Sequence, residues 1–269
     1  MKLCISEATT LPATFAEDVE GYASGGCHGM EVWLTKLETH LEKHSAADTR
    51  KLLEDRQMTL AAAAYQGGLL LSQGEQRKAH FDDLKRRLDL CQAFAIPTLL
   101  VAADFAGKVD ATALQRAVVS LKQAAQWAAA FGVCLALEPR AAPAFPASLD
   151  TALALVAACG EANVGVALDV FHYYTGPSKP EDLEHLSAAN LAFVQVCDLA
   201  GVPRELATDA DRIFPGEGDF RMGPIIRRLR EIGYDGWVSL ELMNLNVWQA
   251  KPAHVAELGV GALQRLLEE

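Results

Sequence analysis

Four short apolar runs decide how this chain reads: Val133-Cys134-Leu135-Ala136-Leu137-Glu138, Val164-Gly165-Val166-Ala167-Leu168-Asp169, Leu191-Ala192-Phe193-Val194-Gln195 and Trp237-Val238-Ser239-Leu240-Glu241. Each has the length of a buried strand, is rich in β-branched or large apolar residues, and is separated from the next by a helical pattern. That alternation argues for a parallel sheet. Every run ends on an oxygen-bearing side chain, so the four groups are aimed at one spot, as a divalent cation bound through oxygen requires. Polar residues often end strands, but two Glu, an Asp and a Gln in succession point to a site.

Working outward, the same alternation continues in both directions. Residues 2–6 read as a first strand, followed by a helix over about 14–24, a strand over 29–34 and a two-part helical region over about 36–56. A third strand over 59–64 opens into Tyr65-Gln66-Gly67-Gly68, and a helical pattern from 74 to 94 places Phe81, Leu84, Leu88 and Cys91 on one face. A strand over 98–102 and a helix over about 111–131 complete the first half. After Asp169 come a short helix over about 181–188, an excursion over 197–220, a helix over about 222–232 and a closing helix over about 252–267. Eight strand and helix alternations predict a single (β/α)8 barrel, with the doubly wound open sheet as the competing arrangement. In such a barrel Glu138, Asp169, Gln195 and Glu241 come from neighbouring strands and meet at the C-terminal mouth.

With 269 residues and no composition break, the chain reads as one domain over 1–269, and 51% apolar residues are enough for a large core. A net charge of −11 with no Lys/Arg cluster argues against nucleic acid and membrane surfaces and for a small-molecule substrate. The six cysteines (Cys4, Cys27, Cys91, Cys134, Cys159, Cys197) form no Cys-x-x-Cys pair and read as reduced core residues of a cytoplasmic protein. The N-terminus lacks a signal-peptide pattern, and no run reaches membrane-spanning length.

Three carboxylates and one neutral amide suit Mg2+, Mn2+ or Co2+, and the set also admits Zn2+. A cation so held would polarise a carbonyl and its neighbouring hydroxyl, and Glu138 and Glu241 are the natural acid and base for moving the α-proton. His172, three residues beyond Asp169, is a further candidate acid/base, ligand or hydrogen-bond donor. Glu31 lies within a strand and must be paired if it faces inward, as a substrate contact or a support for one. Gln66 on the glycine loop and Trp248 beyond the last strand are candidate substrate contacts, and Trp248 could equally wall a subunit interface. Arg212 follows Asp209 and Asp211, so a salt bridge is its plain reading. Glu217 and Asp219 read as turn residues between Gly216 and Gly218.

The Leu137-Glu138-Pro139 run, the Asp169-x-x-His172 pair, the Pro215-Gly216-Glu217-Gly218-Asp219-Phe220 turn and the Tyr234-Asp235-Gly236-Trp237-Val238-Ser239-Leu240-Glu241 segment resemble the xylose isomerase-like TIM barrels. The resemblance spans nearly the whole chain. It implies metal ligation by Glu138, Asp169 and Glu241, with the two Glu also transferring protons. Most relatives place His where Gln195 stands. Gln there, with Arg212-x-x-Pro215-Gly216-x-Gly218 downstream, is similar to the 3-dehydroshikimate dehydratases, while Val196-Cys197-Asp198 is similar to the inosose dehydratases. The first similarity implies that Arg212 offers its fork to a substrate carboxylate. Endonuclease IV fits poorly, since its extra His ligands and basic groove are absent.

The expected activity is therefore metal-dependent isomerisation or epimerisation of a sugar, polyol-ketone or keto acid by enolisation. Dehydration of a cyclic ketone is the rival, and a non-catalytic sugar-binding barrel is the reading from another class. Barrels of this type also assemble as homo-oligomers, although no stretch marks an interface.

Overall fold

The computed structural model describes residues 1–105, 109–141 and 144–268. Eight strands form the barrel: β1 (Lys2–Ser6), β2 (Gly29–Trp33), β3 (Thr59–Gln66), β4 (Thr98–Ala102), β5 (Cys134–Glu138), β6 (Val164–Asp169), β7 (Leu191–Val196) and β8 (Trp237–Leu240). They close in the order β1-β8-β7-β6-β5-β4-β3-β2, so that each strand neighbours the one next to it in sequence. The closed parallel barrel, and not the open sheet, is the arrangement adopted.

By their internal packing the residues divide into two compact units, Met1–Ala63 with Gln195–Glu269, and Ala64–Val194. In the first unit β1 pairs in parallel with β8 from Lys2↔Trp237 to Ile5↔Leu240, and with β2 at Ile5↔Met30 and Ser6↔Glu31. Helix α1 (Phe15–Ser24) begins at a reciprocal cap: the Glu17 backbone N–H donates to Thr14 Oγ1 at 3.3 Å, and the Thr14 backbone N–H donates to Glu17 Oε2 at 2.8 Å. Two orphan amides are satisfied there. The two-part helical region resolves into α2 (Leu34–Leu41) and α3 (Ala46–Asp55).

In the second unit α4 (Gly74–Ala93) buries the expected Phe81, Leu84, Leu88 and Cys91. Helix α5 (Ala111–Ala130) presents Ala117, Ala124, Ala125 and Ala128 as a thin buried face. Strand β5 pairs with β4 from Thr98↔Cys134 to Ala102↔Glu138, and with β6 from Leu135↔Val164 to Leu137↔Val166. Helix α6 (Leu149–Cys159) starts at a Ser148 cap and stops at Gly160, whose φ of 69° is the left-handed conformation that glycine adopts without strain.

Two features lay outside the sequence expectation. A one-and-a-half-turn helix, α7 (Val170–Thr175), follows β6 directly, with Asp169 as its N-cap. A two-residue antiparallel pairing joins Asp104–Phe105 to Ala144–Phe145. The helix expected over about 181–188 is a 3-10 turn, Pro180–His185. Helices α8 (Met222–Glu231) and α9 (Pro252–Glu268) complete the first unit. Among the described residues no helix is long and apolar enough to cross a membrane, and five of the six free cysteines are buried.

Gly29 opens β2 where a Cβ would lie 2.4 Å from the Leu3 carbonyl oxygen and 2.4 Å from the Trp237 ring. Backbone cannot retreat there without breaking the β1 pairing. Gly29→Ala is therefore expected to destabilise the protein by about 1–3 kcal/mol, the cost of overpacking, read as a lower midpoint in urea unfolding.

Candidate metal centre and its supports

In the second unit, β5 and β6 each end on a carboxylate. Glu138 is 7% exposed and Asp169 2% exposed, and α7 brings His172, 6% exposed, back over them. His172 Nε2 stands 3.6 Å from Glu138 Oε1 and 3.7 Å from Asp169 Oδ2. One ligand atom from each of the three residues lies within 4.8 Å of the other two. Ligand atoms bonded to one ion at about 2.0–2.2 Å sit roughly 3–4 Å apart, so the spacing suits a shared cation. The second Asp169 oxygen, Oδ1, accepts from the Phe171 backbone N–H at 2.9 Å, which fixes the carboxylate and starts α7 in one stroke. The Ala141 N–H points at His172 Nδ1 at 3.5 Å. That contact favours the tautomer whose Nε2 carries the proton and faces the two carboxylates.

In the first unit, β7 and β8 bring a second polar cluster. Gln195, 1% exposed, donates through Nε2 to Glu31 Oε1 at 2.9 Å, and Ser239 Oγ donates to Glu31 Oε2 at 2.6 Å. Gln195 Oε1 is buried and has no hydrogen-bond partner among the described residues. Glu241 follows β8 and is 6% exposed; its Oε2 pairs with Arg212 Nη1 at 3.1 Å. Arg212 Nε and Nη2 also donate to Asp209 Oδ1, at 3.1 and 2.7 Å.

Within the second unit the close approach of the Glu138 and Asp169 carboxylates beneath His172 fits a divalent cation, and within the first the buried Gln195 Oε1 is left without a hydrogen-bond partner among the described residues. Oxygen donors predominate, and no thiolate takes part.

Three of the candidate substrate contacts are engaged with the protein itself. Arg212 is 1% exposed and spends Nη1, Nη2 and Nε on protein carboxylates, so it orients Glu241 and offers no outward fork to a substrate carboxylate. Gln66 is buried, donating to the Gly67 carbonyl at 2.9 Å and accepting from Arg87 at 3.3 Å, so the loop and helix α4 hold it away from solvent. Glu31 is completely buried with both oxygens engaged, which makes it a support for Gln195. Trp248 is half-buried, and its indole N–H donates to the Ala8 carbonyl at 2.9 Å, tying the segment after β8 to the segment after β1.

Ser239 went unnoticed in the sequence, although it lies two residues before Glu241 and so shares its side of the strand. Asp198 also gains a definite part. It is 1% exposed; Oδ1 accepts from Leu199 and Phe220, and Oδ2 from Gly216. The Pro-Gly-Glu-Gly-Asp-Phe turn thus wraps one buried carboxylate. A Cβ on Gly218 would come within 2.4 Å of Asp198 Oδ1. The glycine spacing is structural, and Glu217 and Asp219 contribute backbone N–H groups to the turn, donating to the Phe214 and Leu199 carbonyls at 3.2 and 2.9 Å.

The family model of the xylose isomerase-like TIM barrel matches residues 20–266. The chain belongs to that family. An inosose isomerase of Halalkalibacterium halodurans is 26% identical over 258 residues, covering 93% of this chain and 90% of the relative. A 3-dehydroshikimate dehydratase of Pseudomonas aeruginosa is 26% identical over 240 residues, covering 87% of this chain but only 37% of that longer protein. Among solved structures, a crystal structure of the IolI protein with a bound zinc atom superposes with a TM-score of 0.94 at 22% identity, covering 100% of this chain and 98% of that one. The relatives are enzymes, and this chain is an enzyme of the same superfamily.

Removing one partner of a buried ion pair leaves the other charge uncompensated, at a cost of about 3–5 kcal/mol. Arg212→Met is expected to lower unfolding stability by about that amount, since Glu241 loses its partner inside the protein. Urea denaturation monitored by circular dichroism measures it; a loss below about 1 kcal/mol would mean that Glu241 is solvated and not held by Arg212.

Proposed function

We propose that this chain is a divalent-metal-dependent isomerase acting on a polyhydroxylated cyclic ketone of the inosose class, with residues 1–269 working as one catalytic domain. The observation that carries the reading is the pair of buried carboxylates, Glu138 and Asp169, at the C-terminal ends of consecutive strands, each with an oxygen within 3.7 Å of His172 Nε2. Glu138, Asp169, Gln195 and Glu241, from four successive positions in the strand order, would hold the ion. Their oxygens suit Mg2+, Mn2+ or Co2+ and admit Zn2+. Bound there, the ion supplies Lewis-acid polarisation of the substrate's carbonyl and adjacent hydroxyl.

The chain's own groups do the rest. One of Glu138 and Glu241, entering the cycle ionised, removes the proton from the carbon beside the carbonyl, and the other, entering as the carboxylic acid, returns a proton to the resulting enediolate. Delivery to the former carbonyl carbon moves the ketone along the ring; delivery to the original carbon from the opposite face inverts it. His172 Nε2–H is placed to donate to a substrate oxygen while Glu138 acts. Arg212 keeps Glu241 in a fixed orientation so that it need not reorganise between the two transfers.

The pairing of Arg212 supports a choice among substrates. With its guanidinium committed to Glu241 and Asp209, it favours an uncharged ring over a keto acid. The four inosose isomerases among the relatives support the same choice. Loss of a β-hydroxyl from the same enediolate, as in the dehydratase relatives, is the second reading, supported by Gln195 at the β7 position and by the similarity to the dehydratases. A small, uncharged polyol also suits a chain of net charge −11, which repels phosphate backbones and anionic lipid.

Proton NMR in D2O with a panel of inososes and ketohexoses separates these outcomes. Isomerisation is expected to place deuterium beside the carbonyl and yield a second ketone, whereas 3-dehydroshikimate should give no ultraviolet-absorbing aromatic product. Aromatic product formation would assign the dehydratase, and no exchange into any ketone would refute proton abstraction. Glu138→Gln and Glu241→Gln are each expected to lower kcat by about 10²–10⁴-fold, and EDTA is expected to abolish exchange until Mn2+ is restored.

A further inference from the structure

The terminal amide of Gln195 has two ends of nearly equal size and opposite chemistry. Its oxygen can coordinate a cation; its NH2 group would repel one. Nothing in the glutamine itself decides which end faces outward, so a neighbour must. That neighbour is Glu31, 0% exposed on β2, whose Oε1 lies 2.9 Å from Gln195 Nε2. Its other oxygen is taken by Ser239 Oγ at 2.6 Å, and Ser239 is also 0% exposed. Both Glu31 oxygens serve as acceptors, so the NH2 end of the amide is drawn in and the carbonyl end turned away. The turned-away oxygen, Gln195 Oε1, is the buried atom left without a hydrogen-bond partner among the described residues.

We infer that Glu31 is a positioning residue: anchored by Ser239, it fixes the amide of Gln195 so that the carbonyl oxygen is the group presented to the cation, biasing the centre towards oxygen-preferring ions. The inference rests on Gln195 being a metal ligand, as set out above. It extends that reading to residues that never touch the ion. Metal-binding histidines are oriented by carboxylates in the same way, through the ring nitrogen that does not bind. Here a glutamine stands in the ligand position, and the carboxylate decides which of its atoms binds. With Gln at position 31, the neighbour could donate as well as accept. Gln195 would then be free to flip, and half its orientations would aim NH2 at the cation.

Mn2+ affinity by isothermal titration calorimetry, with the visible absorption spectrum of the Co2+-loaded protein, tests this on the full chain. Glu31→Gln is expected to weaken Mn2+ binding about 10–100-fold and to shift the Co2+ bands, with Ser239→Ala moving both in the same direction by less. In a Gln195→Leu background, adding Glu31→Gln should change Mn2+ affinity by less than about 2-fold, because positions acting through one another are not additive. Circular dichroism reports folding, and if Glu31→Gln fails to fold, the Ser239→Ala comparison with and without Gln195→Leu decides the question. Unchanged affinity and spectrum in a folded Glu31→Gln protein would overturn the inference and leave the metal reading standing. Equal losses with and without Gln195 would also overturn it, by showing that Glu31 acts through another route. A native chain that takes up no divalent ion would overturn both.

Discussion

Burying negative charge at the ends of parallel strands is the constraint that shapes this molecule. Glu31, Glu138, Asp169, Asp198 and Glu241 are all under 10% exposed, and an ionised carboxylate taken out of water must find donors or cations to replace it. Each has a different solution. Asp169 takes the first turn of α7, Asp198 takes three backbone N–H groups of its own loop, Glu31 takes Gln195 and Ser239, and Glu241 takes Arg212. Glu138 has the imidazole of His172 beside it at 3.6 Å. Further round the first unit, Glu7 and Asp18 sit together with Lys36. Burial is the main cause that pushes both carboxyls up, and the Lys36 ammonium opposes it.

These solutions divide into those that close on themselves and those that leave an atom over. Asp198 is saturated by backbone, and its loop is correspondingly a scaffold: it sets the course of the segment that delivers Asp209 and Arg212. The Gln195 and Glu31 pair is different, because satisfying the carboxylate orphans the amide oxygen. A protein under selection for stability alone gains nothing from that arrangement, since burying an unpaired carbonyl costs about 1–3 kcal/mol. Strain of this sort concentrates where a ligand will relieve it.

Much of this was legible in the sequence. The strands over 2–6 and 98–102 agree with the structure residue for residue, because short β-rich apolar runs between glycines and helical patterns have few alternatives. The ends of those runs named the polar groups, since strand direction in a barrel fixes which end faces the mouth. Helix α7 was missed because Val170-Phe171-His172-Tyr173-Tyr174 has β propensity throughout; a single cap from Asp169 and the packing around it override that preference. The part played by Arg212 was hidden for another reason. The sequence offered the salt bridge to Asp209, three residues away, but not the pairing with Glu241, which is distant in the chain. Burial of Gln66 and Glu31 is likewise a tertiary fact, set by elements distant in the chain.

The central claim is that carboxylates and one amide at the ends of β5 to β8 share a single divalent ion. Anomalous scattering from a crystal grown with Mn2+ tests it most directly. One peak is expected, coordinated by oxygens of Glu138, Asp169, Gln195 and Glu241, with Gln195 contributing its carbonyl atom. A crystal with no peak in the barrel, or with the ion bound by Glu138, Asp169 and His172 while Gln195 and Glu241 stand apart from it, would contradict the account.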